Sequence, residues 1–347
     1  MKRLSFLSVL AMTLAATLCP TLPCHAQEKL HLYTWADYVS PDVVTKFETA
    51  NSCKVVIDTF DSNESMYAKV RAGAAGYDVI VPSSYMVSLM QQQGLLLPLD
   101  AAQIPNKGNI SAEVLAKVDD KTMHHSVPYA TSYGVLAFRK GRLKDPQPTW
   151  AMLDRTDLGR KACVLNDMRE TLGAALLSLG HSINTRDEKE IAAAGEVVAR
   201  WKKNIAKFDN EQYKSAIDSG EFILVHGYSG DLFQVVSEND QVGILFPQEG
   251  VVMACDEMVI PKTARQPALA HKWINFLLDP ATAAENMEWM GYLCPNTEAL
   301  KEADPEFLKN PAFAIPDAVK AKSEVIQDLG ADLAKYTKVW DGVKAAR

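Results

Sequence analysis

Carboxylates stand beside aromatic rings at several separate points of this chain. Asp37 sits in Thr34-Trp35-Ala36-Asp37-Tyr38, and Asp167 and Glu170 lie three apart in Asn166-Asp167-Met168-Arg169-Glu170. Asp231 ends Gly227-Tyr228-Ser229-Gly230-Asp231, and Asp256 interrupts the apolar run at residues 251–261. Ser83, Tyr85 and Tyr292 add hydroxyls and rings. Rings attract ammonium groups and cover the methylenes between them, while carboxylates neutralise the charges through strong hydrogen bonds. The set therefore suits a flexible aliphatic polycation. Structural roles compete with that reading. Trp35 and Tyr38 also suit an apolar core, Asp167 and Glu170 a helix start, and Asp231 a helix cap. Asp256 is harder to place as structure alone, because a carboxylate in an apolar extended run needs a partner.

Other chemistries lack their signatures. The chain has no phosphate-binding loop of the form G-x-x-x-x-G-K-[ST], no H-E-x-x-H, and no G-x-G-x-x-G after a strand. Residues 227–231 fail as a nucleophile elbow, since Asp231 stands where G-x-S-x-G needs glycine. His124 and His125 are adjacent and read as a solvated loop; the other internal histidines are scattered. No catalytic residue, metal ligand or cofactor is therefore assigned. A pair of carboxylates in a glycosidase remains the alternative from another class.

These residues fall at the ends of predicted elements. Strands are predicted at 29–35, 53–60 and 77–81. Helices follow at Ser40-Pro41, Ser62-Asn63-Glu64 and Pro82-Ser83-Ser84, where capping residues and prolines open them. The βαβαβα order gives a parallel sheet covered on both faces, with ligand groups beyond the carboxyl ends of its strands. A long extended stretch begins at Ser126, and a second α/β region follows. It has strands at 162–166, 221–228 and 241–247 and helices at 170–179 and 188–204. Residues 251–261 form a second extended crossing. The last ninety residues read as helical, including a long amphipathic pattern over 317–345. Two crossings without flexible linkers imply two hinged α/β lobes with the ligand between them.

The 347 residues carry 36 Lys+Arg against 43 Asp+Glu, a net charge of −7, with 48% hydrophobic and 23% charged residues. That apolar content excludes a disordered chain, and the acidic balance argues against nucleic acid as a partner. Residues 1–26 read as a secretory signal: Lys2 and Arg3, an apolar run shorter than the ~20 residues of a membrane span, then Cys24 and Ala26 as small residues before Gln27. Cys24, and less well Cys19, also loosely matches a bacterial lipid-acceptor cysteine. A free exported protein and one lipid-anchored through Cys24 both remain open. Cys53 and Cys163 begin apolar strand-like runs and read as buried thiols; no C-x-x-C is present.

At these residues the chain resembles the bacterial polyamine-binding proteins, the spermidine/putrescine receptors of ABC importers. TWADYVSPDVVTKFE, FDSNESMYAKV, GYDVIVPSSYMV, DMRETLGAALLSLG, EGVVMACDEMVIP, INFLLDPATA and GYLCPNTEA carry the likeness, in order over nearly all of 29–345. The resemblance implies an α/β, two-lobed periplasmic binding protein fold of the type II-like kind. Lobe 1 would be residues 27–133 plus 257–305, and lobe 2 residues 134–256 plus 306–347. It implies ring contacts at Trp35 and Tyr38, Asp37 as a gate at the lobe interface, and Ser83 and Tyr85 lining the first lobe. Asp167 and Glu170 would take one amine and Asp256 another, with Tyr292 on the chain or an amine. Tyr228 stands where the family usually has tryptophan. Gln327 matches a polar contact of spermidine-type members, while 227–231 looks more like putrescine-type receptors and adds Asp231 as an amine ligand. Ala254 replaces a usual aromatic, which implies that putrescine binds at least as well as spermidine. The implied partners are putrescine and/or spermidine and the membrane permease of an ABC importer, for a monomer in the periplasm. The same fold with a different small solute is the nearest alternative.

Overall fold

Serines open the first three helices, as their types dictate. Ser40 accepts a hydrogen bond from the Asp42 N–H ahead of Pro41–Asn51, with Pro41 at the first helical position; Ser62 caps Asn63–Arg71 through the Ser65 N–H; and Ser83 precedes Ser84–Gln92. These helices alternate with β1 (Glu28–Thr34), β2 (Cys53–Thr59) and the two-residue β3 (Val79–Ile80). In this computed structural model, which describes residues 27–73 and 76–346, β1 pairs in parallel with both β2 and β3. Residues 1–26, with the expected signal segment, Cys19, Cys24 and Ala26 of the expected cleavage site, lie outside the described residues.

The two crossings are β4 (Ser126–Arg139) and β9 (Val252–Val259). Up to and including Tyr133, β4 pairs antiparallel with β9; from Gly134 onward it pairs with β7 (Leu224–Tyr228) and β8 (Val242–Leu245). Beyond β7 lie β5 (Ala162–Val164) and β6 (Lys207–Phe208), both parallel. The sheet order is β2-β1-β3-β9-β4-β7-β5-β6. The result is two parallel α/β units joined through a central antiparallel pair, the two-lobed architecture expected.

Two large apolar clusters form the core, the larger reaching from the second unit to Tyr33, Phe60 and Met66 of the first. Beside β1 and β2, Phe47 meets Trp273 of the Pro267–Leu277 helix edge to face, with ring centres 4.8 Å apart. Beside β5 and β7, Trp150, Trp201, Tyr213 and Tyr336 are fully buried among the helices Met168–Ser178, Glu188–Asn204 and Leu333–Ala345. No helix among the described residues is long and apolar enough to cross a membrane.

One expectation fails. Residues 317–345 are not one long helix. A four-residue turn of helix, Asp317–Lys320, gives way to β10 (Glu324–Val325), and only Leu333–Ala345 is a long helix. β10 pairs in parallel with Val252 and Met253 of β9. The free edge of a distant strand decides its conformation, and local periodicity does not report that edge.

Candidate functional site

The carboxyl ends of β1, β2, β3, β5 and β7 and the middle of the β4–β9 pair converge on one cavity of about 670 Å³. Trp35, Asp37, Tyr38, Ser83, Tyr85, Asp167, Glu170, Tyr228, Asp231, Asp256 and Tyr292 all line it. Eleven of the twelve residues singled out in the sequence are thus brought together.

Gln327 is the exception and is a correction. Its neighbour Ile326 lines the cavity, and Gln327 is exposed. Adjacent residues of an extended segment point to opposite sides. The Gln327 backbone is fixed instead: its N–H donates to Asn184 Oδ1 (3.0 Å) and its carbonyl accepts from Arg169 Nη1 (2.9 Å).

Asp256 occupies the middle of the site. Tyr38 donates its hydroxyl to Asp256 Oδ2 (2.5 Å) and Ser83 to Oδ1 (2.6 Å). Ser83 is itself held by Asn63, which donates Nδ2–H to Ser83 Oγ and accepts the Ser83 N–H, both at 3.0 Å. Burial pushes the Asp256 carboxyl up to about 6, against the opposing pull of the Ser83 and Tyr38 hydrogen bonds. Alternation along β9 turns the next residue, Glu257, away from the cavity, where it accepts from Ser126 Oγ (2.5 Å).

Asp167 caps the Met168–Ser178 helix. Its Oδ1 accepts from the N–H groups of Arg169 (2.8 Å) and Glu170 (3.0 Å), and Tyr228 donates to Oδ2 at 3.5 Å. The capping role and the cavity role therefore coincide. Glu170 is 1% exposed, and its Oε2 has no hydrogen-bond partner among the described residues. Burial, and then the charge of Asp167, hold the Glu170 carboxyl well above the usual carboxylate range. Arg169 does not line the cavity. Its guanidinium binds Gln327 O, Ile183 O and Asn184 Oδ1 and lies 5.0 Å from the Tyr336 ring centre.

Asp231 lies in the first turn of the helix Ser229–Glu238. It accepts from Tyr213 (2.5 Å) and Tyr292 (3.0 Å). Burial raises its carboxyl; the Tyr213 hydrogen bond, Lys214 and the Tyr292 hydrogen bond oppose this. The two glycines of Gly-Tyr-Ser-Gly-Asp make room for those two tyrosines. A Cβ on Gly227 would lie 2.3 Å from the Tyr213 ring, and one on Gly230 would lie 2.3 Å from the Tyr292 ring. Asp37 adopts a left-handed backbone (φ 54°), a conformation aspartate tolerates, and is exposed at the rim.

Rings complete the wall. Trp35 packs on Phe60 with centres 4.4 Å apart, and Tyr38 on Tyr292 at 5.3 Å. The sequence reading missed Tyr213, Lys214, Ser132 and Ile326. Tyr213 and Lys214 open a seven-residue helix, Tyr213–Ser219, too short to show a periodicity. An acid-lined, ring-walled slot of this size suits a small extended cation.

The comparisons agree with this geometry. Residues 42–315 match the model of the bacterial extracellular solute-binding proteins. A putrescine/cadaverine-binding protein of Pseudomonas aeruginosa is 34% identical over 92% of this chain and 94% of its own length. The spermidine/putrescine-binding periplasmic protein of Escherichia coli K12 is 33% identical over 93% and 94%. The solved structure of the TpPotD lipoprotein of Treponema pallidum superposes with a TM-score of 0.84 at 35% identity, covering 91% of this chain and 99% of that one. By its fold, its cleft and its relatives, the chain belongs to the bacterial extracellular solute-binding protein family.

Proposed function

We propose that this chain is the polyamine receptor of an ABC importer. It binds putrescine, spermidine or both outside the inner membrane and delivers them to a permease. One observation carries the reading: Asp37, Asp167, Glu170, Asp231 and Asp256 share a single cavity with Trp35, Tyr38, Tyr85, Tyr228 and Tyr292. The names of the relatives support it. Asp167 with Glu170 takes one ammonium group and Asp256 another, and the rings cover the methylenes. The role is binding rather than catalysis, since the relatives are solute-binding transport proteins.

The lobes are residues 27–133 plus 257–305 and residues 134–256 plus 306–347. The change of partners along β4 between Tyr133 and Gly134 supports a hinge there. Closure of the lobes on the ligand signals occupancy to the permease. The chain acts as a monomer in the periplasm. Whether it is tethered through Cys24 is settled by the mass of the mature N-terminus, an unmodified Gln27 excluding the anchor.

Thermal unfolding of protein stripped of bound ligand tests the function. Putrescine, spermidine and spermine are compared with a neutral diol. A ligand at about 100 times its Kd adds ~2.7 kcal/mol, several degrees in Tm. A shift with amines only is expected. No shift with any amine means that the fold is kept for a different solute.

A further inference from the structure

One cation shares the cavity with the acids. Lys214 lines it beside Asp231, and its ammonium hydrogen-bonds Gln234 Oε1. Gln234 follows Asp231 by three residues on the same face of the Ser229–Glu238 helix, and its Nε2 donates to Met290 O (2.9 Å). The lysine is thus tethered on the Asp231 side by a neutral amide that is itself anchored.

Lys214 is the only lysine or arginine lining the cavity among the described residues. Arg169, the nearest in sequence to Asp167 and Glu170, is turned away onto Gln327, Ile183 and Asn184. Asp256 receives only the Tyr38 and Ser83 hydroxyls. The acids are also ordered by their contacts. Asp167 meets Tyr228, the Tyr228 N–H donates to Tyr213 Oη (3.1 Å), and Tyr213 donates to Asp231. Asp231 thus lies on the side of the slot walled by Tyr213 and Tyr292, and that side already holds a positive charge.

We infer that Lys214 sets the length of ligand the slot accepts: its tethered ammonium, on the Asp231 side of the cavity, repels a third ligand ammonium there and turns the site toward diamines. This rests on the polyamine reading above and names the preferred class within it. The device is repulsive, a like charge placed against the longer competitor. It is also independent of the ring lost at Ala254, which lies on β9.

Isothermal titration with putrescine and spermidine tests it in wild type, Lys214→Gln, Lys214→Met, Lys214→Arg and Lys214→Gln/Asp231→Asn. Both neutral variants are expected to raise the spermidine-to-putrescine affinity ratio about fivefold or more, Lys214→Arg to keep the wild-type ratio, and the double variant to lose the gain. Two neutral side chains are used so that a packing defect peculiar to one does not decide the matter. A ratio that rises less than about fivefold in both neutral variants, while wild type binds putrescine, overturns the role of Lys214 and leaves the receptor reading standing. Wild-type protein that binds neither amine overturns both.

Discussion

Asp256 holds a carboxyl pushed up to about 6 between two hydroxyl donors. Its ordinary value is 3.8, so its folded pKa is raised. Such a group contributes stability while protonated, below about pH 4, and that contribution is lost as pH rises through about 6. The shift of roughly two units corresponds to ~3 kcal/mol. Asp256→Asn is therefore expected to stabilise the empty protein at pH 8, by up to about 3 kcal/mol in urea unfolding, with little effect at pH 4. The same change should abolish amine binding; a variant that binds putrescine normally would remove Asp256 from the site. Binding has the opposite pH dependence. An ammonium needs the ionised carboxylate, so affinity should fall about tenfold between pH 7 and pH 5, with proton release on binding near pH 6. A flat affinity profile over that range would contradict it. At this scale much was legible in the sequence, because a carboxylate in an apolar strand needs a partner. The partners were not legible as partners: Ser83 and Tyr38 are 173 and 218 residues away in the chain. Gln327 was misplaced because strand direction, which sends Ile326 inward, follows from a pairing the sequence does not display.

Elements position these groups through close approach. The Gly227–Gly230 turn admits two tyrosine rings onto Asp231, and neither glycine tolerates a Cβ without moving a ring. Gly230→Ala is expected to displace Tyr292, costing about 1–3 kcal/mol of stability and weakening amine binding about tenfold or more. Unchanged Tm and affinity would show that the ring can shift freely. Tyr213→Phe should cost about 1–2 kcal/mol, since it leaves Asp231 and the Tyr228 N–H each short of a partner. Its far-UV spectrum should be unaltered. Elements with strong local signals were legible. The helix Glu188–Asn204 has the expected bounds, with Asp187 capping it through the Lys189 N–H. Elements made by distant pairing were not. β10 exists because Ile326 N–H and its neighbours bond the edge of β9, and Gly330 then interrupts the periodicity that had suggested one helix.

Across the whole molecule, Cys53, Cys163, Cys255 and Cys294 are free and buried. Burial pushes the Cys163 thiol up to about 12 and the Cys294 thiol to about 11. A chain expressed from Gln27 should show no reaction with a thiol reagent while native and four reactive thiols in urea, and reductant should leave its Tm unchanged. A Tm lowered by reductant would instead reveal a disulfide. The two-lobed plan was legible because β4 and β9 are the two extended runs that no turn interrupts. The order of the sheet has a further consequence for how the chain is made. β9 lies between β3 and β4, so the first unit cannot join β4 while only the part before Val252 has left the ribosome, whereas β4 to β8 of the second unit are already made. The stretch that completes the first unit and joins it to the second emerges late, and loop-closure entropy must be met before those distant pairings form. Residues made first are thus locked into the joined sheet only near the end of synthesis.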